Sequence, residues 1–134
     1  TLADVTDVGS PLAHAVDLSA AASRVGFDWP SATPVFTAVR AELDELADAW
    51  QSGEAPAIAH ELGDVLLAAC NLARHLGVSP DDALRAANRR FAARFTLMEE
   101  VAHAESAPLS TLPADELERR WQAAKKTLAE RRRG

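Results

Sequence analysis

Apolar residues recur along this chain at helical spacing, not in strand alternation. Val35, Val39, Leu43, Leu46 and Trp50 form one stripe. Ile58, Leu62, Val65, Leu66, Ala69, Leu72, Ala73 and Leu76 form another. Alternating β-branched runs are missing, tyrosine is absent and alanine is abundant, so nearly every segment reads as helix. Proline and glycine divide the pattern into five predicted helices. The first runs from about Pro11 to Val25 and stops before Gly26. The second starts near Thr33-Pro34, read as a cap followed by proline, and runs to about Gln51, with Ser52-Gly53 ending it. The third starts near Pro56 and stops at Gly77. Ser79-Pro80-Asp81-Asp82 opens the fourth, which reaches about His103. A Ser/Pro/Leu linker precedes the fifth, about Ala114–Arg132, whose basic end at Arg131-Arg132-Arg133 reads as solvated and frayed. Residues 1–10 read as irregular, and 11–132 as a single helical domain. Short connections between the second, third and fourth helices predict an all-α antiparallel bundle. Both stripes read as core faces.

A length of 134 residues, 48% of them hydrophobic, fits one domain with a modest core. No run of apolar residues is long enough for a membrane span, and no signal peptide is visible. The chain opens on Thr1, which suggests a piece of something longer. One cysteine, Cys70, fits a reducing cytoplasm. A net charge of −6 speaks against nucleic acid as a partner. The charge is uneven: residues 1–114 carry 7 Lys/Arg against 16 Asp/Glu, and residues 115–134 carry 7 against 4.

The informative face lies beside each apolar stripe. On the second helix it reads Ala38, Glu42, Glu45, Ala49; on the third, Ala57, Glu61, Asp64, Ala68. Both follow steps of 4, 3 and 4, with two carboxylates one turn apart and alanine above and below. A lone Glu-x-x-Glu pair reads as a solvated face, as do Asp44 and Asp48; the repeated spacing favours a site. On antiparallel neighbours these four acids would converge and repel unless a cation neutralised them. Oxygen-only ligands select Mg²⁺ or Mn²⁺ over Zn²⁺. A di-iron bundle wants Glu-x-x-His pairs, and His60, next to Glu61, should project about 100° away. On the fourth helix Arg90 and Arg94, with Asn88 and Arg89 nearby, can grip phosphate oxygens, while Phe91 and Phe95 read as core. No Gly-rich phosphate loop and no nucleophile–histidine constellation competes. His14, His60, His75, His103 and Cys70 read as structural.

Arg24-Val25-Gly26-Phe27-Asp28-Trp29-Pro30, Glu42-Leu43-x-Glu45-Leu46, Glu61-Leu62-Gly63-Asp64 and Ala87-Asn88-Arg89-Arg90-Phe91-x-x-Arg94-Phe95 together resemble a MazG-type nucleoside triphosphate pyrophosphohydrolase. The C-terminal MazG domain of the two-domain bacterial proteins is the nearest likeness, over about residues 14–128. The resemblance implies that Glu42, Glu45, Glu61 and Asp64 bind Mg²⁺. It implies that Arg90 and Arg94 hold the triphosphate, with Trp121 stacking on the base and Phe27 and Trp29 as further base-pocket candidates. It also implies a homodimer that hydrolyses (d)NTP to (d)NMP and pyrophosphate in nucleotide-pool housekeeping. Glu45, with Glu42, is the candidate catalytic carboxylate that takes the proton of the attacking water. One position departs: Ala41 stands where the family's Glu-Glu-x-x-Glu motif has its first glutamate. Weakened catalysis on an intact fold is the consequence expected. Two alternatives stay open: a non-catalytic helical interaction module, and a specialised dUTP or phosphoribosyl-ATP pyrophosphohydrolase.

Overall fold

The computed structural model describes residues 1–133. Its five helices are α1 (Pro11–Ser23), α2 (Ala32–Ser52), α3 (Ala55–His75), α4 (Pro80–Ala104) and α5 (Ala114–Arg133). A short 3₁₀ turn, Leu109–Thr111, lies in the linker, and there is no strand among the described residues. The chain is therefore all-α, as the periodicity predicts. It divides into two compact units, Thr1–Ala83 and Leu84 onward.

In the first unit, α3 packs against both α2 and α1. Gly53, in the left-handed region at φ 75°, ends α2, and the short turn sends α3 back antiparallel along it. The end of α3 is closed by the Val78 N–H on the Ala73 carbonyl at 2.9 Å and the Gly77 N–H on the Arg74 carbonyl at 3.1 Å. That double closure needs φ 70° at Gly77, which is why glycine stands there. Ser10 caps α1 by accepting from the Leu12 and Ala13 N–H groups, and its hydroxyl donates to Asp81 Oδ1 at 2.6 Å. Ser79 caps α4 by accepting from the Asp82 N–H at 3.2 Å.

Four expectations need correction. α2 begins at Ala32 with Ser31 at the cap, so Pro34 is its third residue; the missing N–H is harmless there because a first turn leaves its donors unpaired anyway. The basic end of α5 is helical to Arg133, not frayed. Phe91 and Phe95 are exposed, at 60% and 43%. The stripes of α2 and α3 are only half used: Val35 is buried and Val39, Leu46, Ile58, Val65 and Leu72 are half-buried. Leu43, Trp50, Leu62, Leu66 and Leu76 are exposed, Trp50 by 71%.

In the second unit Met98, Ala102 and Ala124 are buried. Arg120, in the first half of α5, donates to Glu105, just past the end of α4, at 2.6 Å. Ser106 closes α4 at φ 52°, a conformation glycine usually supplies.

Candidate active site

The antiparallel turn of α2 into α3 sets Glu42 and Glu45 against Glu61. One ligand oxygen from each lies within 4.8 Å of the others. Asp64 falls in an adjoining group with Glu61 and His60, under the same 4.8 Å limit. His60 does not project away as its place beside Glu61 suggests: its Nε2 is 3.4 Å from Asp64 Oδ2, one turn along α3. Side chains four apart on a helix meet, and that relation overrides the neighbour argument.

Two oxygens of this seam are anomalous. Glu42 Oε2 and Glu61 Oε2 are buried and have no hydrogen-bond partner. A buried carboxylate oxygen without a donor is costly, and a cation between the helices would satisfy both. Glu42 also titrates above the ordinary carboxylate range. The carboxyl of Glu45, hydrogen-bonded to it, is the main cause, followed by burial and the charges of Glu45, Asp64 and Glu61. The donor set is all carboxylate apart from exposed His60, so the residues present fit a hard divalent cation. Ala38, Ala49, Ala57 and Ala68 are half-buried above and below the acids, as the spacing required. Ala41 and Asp44 are exposed on α2.

A pocket of about 420 Å³ in the same unit is lined by Phe27, Asp28, Trp29, Ser19, Asn71 and Arg74. The loop carrying the two aromatics is pinned to α3. Arg74 Nη2 donates to Asp28 Oδ1 at 2.6 Å, and His75 Nε2 lies 2.8 Å from the same oxygen. The Arg74 guanidinium holds Asp28 well below the ordinary range, down to about 2, against an opposing push from burial and with help from His75 and the Trp29 N–H. Sequence reasoning missed Asn71 and Arg74. The signal was present: the face Ala57, Glu61, Asp64, Ala68 continues by steps of 3 and 4 to Asn71 and His75.

In the second unit Arg90 and Asn88 are exposed and Arg94 is half-buried. Arg90 and Arg94 share a groove of about 340 Å³ with Arg89, Lys125, Arg131 and Arg132. No carboxylate lines it. Trp121 is half-buried, with Phe91 at 5.3 Å and the Arg94 guanidinium 5.6 Å above its ring.

Residues 33–96, which hold both acid pairs and both arginines, match the model of the MazG nucleotide pyrophosphohydrolase domain. Over those residues the chain is MazG-like. It is similar to the nucleoside triphosphate pyrophosphohydrolase/pyrophosphatase MazG of Thermotoga maritima, 40% identical over 104 residues, which are 78% of this chain and 40% of that protein. The nucleoside triphosphate pyrophosphohydrolase of Escherichia coli is 37% identical over 106 residues, again 78% of this chain and 40% of the relative. The chain thus spans about 40% of the length of both relatives. No described helix is long and apolar enough to cross a membrane.

Proposed function

We propose that this MazG domain hydrolyses a nucleoside triphosphate to the monophosphate and pyrophosphate, with Mg²⁺ as its ion and Mn²⁺ as a substitute. The observation that carries the reading is the pair of buried, partnerless oxygens on Glu42 and Glu61 in the acidic seam. The family match and the printed activities of the two relatives support it. In the reaction water adds at the α-phosphorus, the bond to the oxygen bridging to the β-phosphorus breaks, and pyrophosphate leaves. Glu42, Glu45, Glu61 and Asp64 would hold the ion. When bound, such an ion neutralises phosphate charge and makes a coordinated water more acidic. Glu45, more exposed than Glu42, would accept a proton from the attacking water. Arg90 and Arg94, with Asn88, supply donors suited to phosphate oxygens. Phe27 and Trp29 offer ring faces for the base. Trp121 is the weaker candidate, because Phe91 and Arg94 already engage its ring.

We also infer a homodimer in the cytoplasm. The exposed leucines of α2 and α3, with Trp50, form the kind of apolar surface that oligomers cover. The single thiol, Cys70, is buried and suits a reducing compartment. One observation favours a second reading, a binding module without turnover: α2 presents Ala41 where the family motif has a carboxylate.

Calorimetric titration of Mg²⁺ into the chain and into Glu61→Gln tests the metal assignment. Saturable binding to the chain and a marked loss in the variant are expected. No binding to either, or equal binding to both, would overturn the assignment of these carboxylates.

A further inference from the structure

The pocket beside the acidic seam contains a hydrogen-bond reader whose polarity is fixed. Arginine carries donors only, so the part of the Asn71 amide facing Arg74 has to be the oxygen. Asn71 Oδ1 accepts from Arg74 Nη2 at 3.0 Å and from Nε at 3.3 Å. Arg74 cannot easily turn away, because Asp28 at 2.6 Å and Ser19 at 3.0 Å hold the same guanidinium. Among the described residues the Asn71 NH₂ has no partner, and the pocket it lines is walled by Phe27 and Trp29. Those rings are 77% and 49% exposed, so their faces are open to stack on a planar ligand.

Position adds the second argument. Asn71 lies seven residues beyond Asp64 on the same face of α3, about 10 Å along the axis. That separation suits a nucleoside with its phosphates at the acids and its base in the pocket. We propose that Asn71, locked by Arg74, is the base-selecting residue and donates to a carbonyl oxygen on the base. Placed against the O4 of uracil or thymine, or the O6 of guanine, the amide meets an acceptor, whereas adenine and cytosine present an amino donor at that position. Arg74 is a positioning residue, acting on the base only through the amide it orients. The assignment rests on the pyrophosphohydrolase reading, because it takes the acids as the place of the phosphates.

Equilibrium binding of α,β-imido-UTP and α,β-imido-ATP, with Mg²⁺ and without turnover, tests it. The unaltered chain is expected to bind the uracil analogue about tenfold tighter or more, because adenine sets its 6-amino donor against the amide donor where uracil offers O4. Asn71→Ala should erase the preference, and Arg74→Met should erase it while binding of Mg²⁺-tripolyphosphate is retained. Equal affinity for the two analogues in the unaltered chain, or a preference that survives Asn71→Ala, overturns the proposal and leaves the hydrolase reading standing. Failure to bind either analogue overturns both. Should Asn71→Ala fail to fold, Asn71→Asp, which replaces the amide donor by an acceptor, is expected to lose the same preference, and a preference that survives it overturns the proposal.

Discussion

Replacing Arg74 by methionine should loosen the Phe27–Trp29 loop and lower stability by a predictable amount. The guanidinium makes charge-assisted bonds to Asp28 and further bonds to Ser19 and Asn71. Its side chain is 19% exposed and that of Asp28 is 23%, so solvent weakens the pair without dissolving it. Hydrogen bonds to charged groups contribute about 1.5–3 kcal/mol when well buried, and exposed pairs well under 1, which puts this one at about 1–2 kcal/mol. For a chain of this size that corresponds to a melting temperature lower by about 4–8 °C. The pH dependence follows from the same contact. Asp28 titrates near 2 in the folded chain against an ordinary 3.8. A depressed carboxyl stabilises above its ordinary value, and the contribution fades as pH falls through about 2. Thermal melts of the chain, Arg74→Met, Asp28→Asn and the double variant form the assay. The double variant should melt close to Arg74→Met, and the chain's advantage over it should shrink at the lowest pH to what the Ser19 and Asn71 bonds supply. Equal melting of Arg74→Met and the unaltered chain at neutral pH would refute the clasp.

Further expectations concern other parts of the molecule. Ser106→Gly should raise stability by about 0.5–1 kcal/mol in denaturant melts, because Ser106 sits at φ 52°. Gly77→Ala should lower it by about 1 kcal/mol, through backbone strain alone, since an added Cβ would meet nothing within 4 Å. Trp50→Asp with Leu66→Asp should convert the proposed dimer to monomer by sedimentation; unchanged mass would contradict an interface built on these side chains. Ala41→Glu should increase pyrophosphate release if the missing acid limits catalysis, and an unchanged rate would separate that position from the chemistry.

Much of this was legible because it depends on local chemistry. Ser79-Pro80 and Gly77 punctuate helices through capping and a left-handed turn, which operate within a few residues. The acidic face was legible because steps of 4 and 3 place side chains on one line whatever surrounds the helix. The fate of Leu43, Trp50 and Leu66 was not, because periodicity marks a face as apolar without saying what covers it. Phe91 and Phe95 were misread as core for that reason. Asn71 and Arg74 escaped notice because their role comes from Asp28, a residue 46 positions from Arg74 that only the folded loop brings near. His60 was misjudged by weighing its neighbour Glu61 over Asp64, four residues on.

Product analysis with a triphosphate panel and Mg²⁺ tests the central claim most directly. Phosphorus NMR should show a nucleoside monophosphate and pyrophosphate in equal amounts, dependent on metal and abolished in Glu61→Ala. Orthophosphate and a diphosphate as products, or turnover that survives Glu61→Ala, would contradict the account.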